Sequence, residues 1–365
     1  MALTDFLKLR PVGKRLEDLD TPVPIIDVNV VARNVMHWQS RCDILKLANR
    51  PHIKTHKLVG LAQYQIAEGA KGITVQKLGE AEVMADAGIR DMFLTFNIMG
   101  RHKLERLAAL ARRTDISVVA DNHEMIAGLS EAGQQAGRHI SVLVECDTGA
   151  GRNGVQSPTD ALLLAQAIDK SPHLTFGGLM TYAGTGQRLQ AEAFLETARE
   201  LSEKAGLDVR VITSGGSPDM WKDEGLSHLT EYRAGTYIYF DRSLVARGTC
   251  DFEDCALSVL STIVSKPTQD RAIVDAGTKS LTSDLLGLEG YGVAHDFDDA
   301  KIYAANEEHG YLDISHLDRK PAIGDRLRIT PNHVCPVTNL FDEVVFVNGE
   351  DVLGAVKVDA RGLVQ

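Results

Sequence analysis

From about residue 50 to about residue 240, short strand-like runs alternate with amphipathic helical segments. This is the pattern of repeated β/α units around a parallel sheet. Eight such runs are read at Arg50 to Thr55, Gly72 to Gln76, Met92 to Asn97, Ile116 to Asp121, Ile140 to Asp147, Leu174 to Tyr182, Val209 to Ser214 and Tyr232 to Tyr239. Between them lie stretches such as Lys103 to Arg112, whose apolar residues recur at three and four, the spacing of a helix with one buried face. Gly69, Gly88, Gly137 and Gly206 each close such a stretch, as left-handed helix caps do. Eight units predict an α/β fold built on a (β/α)8 TIM-type barrel, placed here over residues 26–249. After Gly248 the runs become short and β-rich, among them Ala256 to Val264, Arg271 to Asp275, Lys301 to Tyr303, Arg326 to Ile329 and Glu343 to Val347. They predict a mainly β domain made of residues 250–365 with residues 1–25, which the strand Pro24 to Asp27 could join.

Charge and cysteine content narrow the partners. With 39 basic against 50 acidic residues the net charge is −11, and no basic run interleaved with aromatics occurs, so nucleic acid is not an expected partner. Five irregularly spaced cysteines do not make a disulfide framework in a chain of this length, and a reducing compartment fits them. No apolar run approaches the ~20 residues that cross a bilayer, and the N-terminus has no basic region leading into a long apolar one. A cytoplasmic protein acting on a small molecule, with no membrane partner, is the expectation.

Barrel active sites lie at the C-terminal ends of the strands, and here every such end is polar: Lys54, Gln76, Asn97, Asp121, Asp147 with Arg152, Tyr182, Ser214-Gly215-Gly216-Ser217, and Arg233 to Tyr237. Lys54, between His52 and His56, is expected to lose hydration and to gain polar neighbours. Both effects depress an amine's pKa and favour attack on a carbonyl. Alone, Arg50-Pro51-His52-Ile53-Lys54-Thr55-His56-Lys57 also reads as a basic surface turn; the other polar strand ends shift the reading toward a Schiff-base lysine. Ser214 to Ser217 can be an ordinary turn or a cradle of backbone N–H groups for a phosphate. Arg152 leaves a glycine-rich loop as one fixed cation, able to meet a phenolate or carboxylate oxygen. His333 and Cys335, two apart, share a face on an extended chain; imidazole and thiolate together suit zinc, although a buried thiol beside a satisfied histidine accounts for them as well.

These motifs together resemble the D-threonine aldolase and D-serine dehydratase family, which has the alanine-racemase type of pyridoxal-phosphate fold (fold type III). The resemblance runs nearly end to end, through Thr21-Pro22, the Lys54 run, Gln76-Lys77 with Glu80-Ala81-Glu82, Asp147 to Val155, Ser214-Gly215-Gly216, Ala234 to Tyr237, Asp275 to Lys279, Glu308-His309-Gly310 and His333-Val334-Cys335. It implies that Lys54 carries pyridoxal 5′-phosphate, that Ser214, Gly215, Gly216 and Ser217 with Tyr237 bind its phosphate, and that Arg152 lies near its phenolic oxygen. It also implies Arg233 against the pyridine nitrogen, which weakens the ring as an electron sink, and Gln76 and Tyr182 beside the cofactor. A divalent metal, zinc or manganese, is implied at His333 and Cys335, where it binds the substrate's β-hydroxyl.

A D-β-hydroxy amino acid held on that cofactor can lose its α-proton and then hydroxide, or have its Cα–Cβ bond cleaved; a metal-bound hydroxyl serves either path. His-x-Cys resembles the dehydratase branch, acting on D-serine or D-3-hydroxyaspartate. The continuation Pro336 to Asp342 resembles the aldolase branch, which is preferred here. The histidine that aldolases carry beyond the tyrosine is missing after Tyr182, with Arg188 near its place, so the base is sought in His52, His56, a metal-bound water or a phenolate such as Tyr182. A racemase needs a second acid/base on the other face of the cofactor, and none is assignable. A non-catalytic cofactor carrier lacks the β domain expected here. The resemblance further implies a homodimer.

Overall fold

Strands such as Ile140–Cys146, buried at every position but Ser141, have no face to offer water, so they pack as a parallel sheet covered by helices. In the computed structural model, which describes every residue from Met1 to Gln365 except Asp298, eight strands line up in the order Ala48–Asn49, Glu231–Tyr232, Val211–Ser214, Leu174–Thr181, Ile140–Cys146, Asp115–Ala120, Asp91–Leu94 and Ile73–Val75. Their pairings are parallel. A parallel bridge from His52 to Thr74, with the Thr74 N–H donating to Pro51 O at 2.8 Å, joins the ends of the row. The expected (β/α)8 barrel is present.

Two strands are shorter than the sequence suggests. The regular strand lies just before the expected Arg50–Thr55 run, at Ala48–Asn49; Pro51 has no N–H for the ladder, and the run itself turns through a 3-10 helix, Ile53–Thr55. Lys54 therefore sits in a tight turn beyond the strand. The last run pairs only at Glu231–Tyr232 before a second 3-10 helix, Thr236–Ile238. Inside the barrel Phe93, Val119, Leu143 and Met180 form a buried layer with Val211 against it. Gly137 ends the helix His123–Ala136 in the left-handed conformation (φ 68°), as its position predicts.

Two units divide the chain: residues 39–54, 65–235 and 363–365 make the barrel unit, and residues 1–38, 55–64 and 236–362 make the other. The second is built on a nine-stranded sheet in which Val23–Asp27 lies between Leu257–Ser265, antiparallel, and Glu343–Asn348, parallel. The remaining pairings are antiparallel. Its core gathers Leu16, Leu19, Ile25, Leu260, Val345 and Val347. Among the described residues no helix is long and apolar enough to cross a membrane.

Candidate active site

Asn49 to Leu58 are buried with one exception, Lys54. The 3-10 turn tucks Ile53 and Thr55 inward with no exposed surface and leaves Lys54 as the exposed residue of the run. His52 supports the turn from within the barrel unit. Its Nδ1 accepts the Lys54 N–H at 3.4 Å, and its Nε2 lies 2.9 Å from Gln76 Oε1, while Gln76 donates onward to Thr95 O at 3.2 Å. Lys54, His52 and Gln76 are thus drawn together, with both imidazole nitrogens of His52 engaged in holding the turn.

Around the barrel mouth a chain of side-chain hydrogen bonds links strand ends. Asn97 donates to Asp121 at 2.9 Å, and Asn153 donates to Asn97 Oδ1 at 2.9 Å and to Glu145 Oε2 at 3.1 Å. Glu145 is 2% exposed. Burial, then the Asp121 charge, push its carboxyl up to about 7 against the opposing pull of Arg152 and Arg233. Sequence reading missed this residue, although the period-two rule puts Glu145 on the same inward face as Leu143. Arg233, buried over the Phe93 ring at 5.8 Å, donates to Thr213 Oγ1 at 2.9 Å and to Thr181 O. Burial pulls its pKa down to about 10, which leaves it a cation at neutral pH. Arg152 stands over the Tyr182 ring at 5.1 Å, a cation–π contact.

The turn after Val211–Ser214 admits only glycine at its first position. Gly215 has φ +102°, and a Cβ there would lie 2.5 Å from the Tyr232 ring; one on Gly216 would lie 3.2 Å from Tyr182. The Tyr232 hydroxyl donates to Gly216 O at 3.0 Å, so the turn lies flat on an aromatic floor, followed by the 3-10 helix Ser217–Asp219. A backbone without side chains at two successive positions is what a phosphate needs for close approach, and the turn fits one. Arg188, near the place where the aldolase branch has a histidine, is 8% exposed and donates through Nη1 to Asp219 O and Lys222 O, both at 2.8 Å. Tyr237 belongs to the other unit, where it is fully buried with its ring 6.1 Å from that of Trp38.

In that second unit His333 and Cys335 meet. His333 has an extended backbone and precedes the helix Val334–Leu340, whose first turn carries Cys335, so the shared face arises at a helix start and not along a strand. His333 Nδ1 lies 2.7 Å from Asp284 Oδ2, and Cys335 is close enough to act on the imidazole's charge. Burial pulls the His333 pKa down, but Cys335 and Asp284 outweigh it and hold the imidazole at about 9. Cys335 Sγ lies 3.2 Å from the hydroxyl of Thr55, the residue after Lys54 in the chain, and 3.7 Å from that of Thr236. The Tyr239 hydroxyl is buried without a hydrogen-bond partner; burial, then the neighbouring Cys335, raise its pKa well above the ordinary phenol value. No group of three or more potential ligands from His, Cys, Asp and Glu occurs among the described residues. A nitrogen and sulfur pair with an unpartnered phenol nearby fits a zinc-like cation that takes its remaining ligands from water or substrate.

The alanine racemase N-terminal domain family matches residues 26–243, and a serine dehydratase domain family matches residues 256–347. Across its length the chain is 36% identical to D-threonine aldolase of Arthrobacter sp., covering 96% of this chain and 95% of that protein. The chain belongs to the D-threonine aldolase and D-serine dehydratase family. It is thus an enzyme of the fold type III class of pyridoxal-phosphate-dependent lyases. D-threo-3-hydroxyaspartate dehydratase of Delftia sp. (strain HT23) is 35% identical over 87% of this chain and 91% of its own. The crystal structure of D-threonine aldolase from Filomicrobium marinum superimposes with a TM-score of 0.91 at 32% identity, covering 98% of this chain and 99% of that one. Solved forms of a D-threo-3-hydroxyaspartate dehydratase include variants in which a histidine and, two positions on, a cysteine are changed to alanine, the latter metal-free.

Proposed function

We propose that this enzyme is a metal-assisted lyase of D-β-hydroxy amino acids that cleaves D-threonine to glycine and acetaldehyde. The observation that carries the aldolase reading is the likeness to a D-threonine aldolase over nearly the whole length of both chains; His333 and Cys335, the latter 3.2 Å from Thr55, next in the chain to Lys54, support only its metal-assisted part.

Lys54 is proposed to hold pyridoxal phosphate covalently, with the turn at Ser214 to Ser217 and Tyr237 receiving the phosphate, Arg152 and Tyr182 beside the phenolic oxygen, and Arg233 at the ring nitrogen. Bound there, the cofactor supplies an electron sink for charge left at the substrate's Cα. Arg233, a permanent cation in a dry site, leaves that sink weak, so the protein's own groups carry more of the stabilisation. In this cleavage the β-hydroxyl loses a proton and Cα gains one as the Cα–Cβ bond breaks; Lys54 Nζ is the group proposed to carry that proton, because both nitrogens of His52 are engaged and His56 is fully buried, its Nδ1 accepting the Leu58 N–H at 3.0 Å. His333 and Cys335 would hold a divalent cation, zinc or manganese, which would supply Lewis-acid polarisation of the substrate's β-hydroxyl.

The cysteine favours a second reading. A histidine and a cysteine two apart are the positions changed in the solved variants of the D-threo-3-hydroxyaspartate dehydratase, which favours loss of the β-hydroxyl from D-serine or D-3-hydroxyaspartate. Incubation of the metal-loaded holoenzyme with D-threonine, D-serine and D-3-hydroxyaspartate distinguishes the two. Glycine with an aldehyde supports the aldolase; ammonia with a 2-keto acid as the main product replaces it with the dehydratase. A homodimer in the cytoplasm remains part of the proposal, and a sedimentation mass equal to that of one chain contradicts the dimer.

A further inference from the structure

Arg188 is a buried cation whose hydrogen bonding is incomplete. It opens the helix Arg188–Lys204, its guanidinium lies 5.9 Å over the Tyr232 ring, and Nη1 donates to the carbonyls of Asp219 and Lys222. Nη2 is buried with no partner. The carboxylate beside it, Asp219, is already engaged by the Gly186 N–H at 2.8 Å and by Lys222 Nζ at 2.8 Å. Lys222 and Asp219 offset each other, and Glu192, which lines one of the cavities around Arg188, accepts the Ser227 N–H at 2.9 Å. Two small cavities, each with room for about one water molecule, are lined by Arg188, Gly215 and Tyr232. Gly216 and Tyr182 line the first of them.

An unpaired donor on a buried charge is costly, and the cost is offset where an anion is bound nearby. The anion-shaped feature here is the glycine turn, which Arg188 backs on the Tyr232 side. We infer that Arg188 is a positioning residue for the cofactor phosphate: it holds the segment after Gly216 by two carbonyl bonds and supplies the buried positive charge that balances the phosphate dianion. The inference rests on Ser214 to Ser217 being the phosphate turn. It also assigns a different role to the position where the aldolase branch has a histidine: charge balance beneath the turn, not proton transfer.

The test compares pyridoxal phosphate with pyridoxal, which lacks only the phosphate, by equilibrium dialysis against cofactor-free wild type, Arg188→Lys, Arg188→Gln and Arg188→Met. Loss of one charge-assisted contact corresponds to roughly 10- to 100-fold. Expected is a 10-fold or greater weakening of pyridoxal phosphate in Arg188→Gln and Arg188→Met, with pyridoxal unchanged within about twofold and Arg188→Lys retaining most of the wild-type preference. Equal weakening of both ligands, no weakening of either, or equal behaviour of the Lys and Gln variants overturns the inference. Wild type that binds the two ligands equally well instead overturns the phosphate turn itself. If circular dichroism shows the variants unfolded, the phosphorus resonance of cofactor bound to wild type decides. It should stay constant from mildly acidic to neutral pH, and titration like that of free cofactor overturns the inference.

Discussion

His333 Nδ1 and Asp284 Oδ2 are 2.7 Å apart, so the imidazole presents Nε2, not Nδ1, for any ligand. Carboxylates that orient a ligating histidine in this way typically contribute 10- to 100-fold in metal affinity. Asp284→Ala is therefore expected to weaken zinc binding by roughly that factor while leaving His333 and Cys335 in place. Competition against a chromogenic chelator measures it; zinc retention equal to wild type would show that Asp284 does not orient the ligand.

Glu145 has a folded-state pKa of about 7, above its ordinary 4.5. The folded protein thus binds this proton more tightly than the unfolded chain. The stability it contributes is complete below about pH 4.5 and is lost as the pH rises through about 7. Glu145→Gln cannot ionise and escapes that loss. In the cofactor-free protein, the variant should gain on wild type as pH rises, by up to roughly 3 kcal/mol above neutrality. Urea titrations of both proteins across this range test it, and a difference independent of pH would refute the burial argument.

The Arg50 side chain, 6% exposed, holds Glu231, 3% exposed, at 2.9 Å through Nε and Asp91 at 2.6 Å through Nη1. Arg50→Met strands a buried carboxylate whose remaining ion pair, to Lys71 at 3.5 Å, is half-exposed, although the buried Arg233 charge also acts on it. Removing one partner of such a pair costs about 3–5 kcal/mol. Adding Glu231→Gln should recover part of the loss, and denaturant midpoints of the two single variants and the double variant measure the coupling.

What could be read from sequence divides along a physical line. Period-two and helical repeats report burial, and burial alone makes a parallel barrel, so the eight β/α units were legible. Lys54, His52 and Gln76 were legible as strand ends and are brought together. Contacts distant along the chain carry no such repeat. Asp284 lies in an unremarkable turn 49 residues from His333, and Tyr239 looks like one more apolar residue of a strand. Arg188 likewise gives no sign in sequence of its bonds to the carbonyls of Asp219 and Lys222, more than thirty residues on.

Lys54 is exposed in an otherwise buried run, so its removal is expected to affect function more than stability. Substitution of an exposed side chain usually changes stability by no more than about 0.5 kcal/mol. Lys54→Ala should therefore melt within a degree or two of the cofactor-free wild type. Without a primary amine to join the cofactor's carbonyl, it should also lack the visible absorption band of the holoenzyme. Lys54→Arg keeps the charge but cannot form that bond, so it should lose the band as well. Retention of the band in either variant would move the covalent attachment to another lysine. A large fall in melting temperature with the band lost would instead make Lys54 a structural residue of the turn that His52 and Gln76 hold.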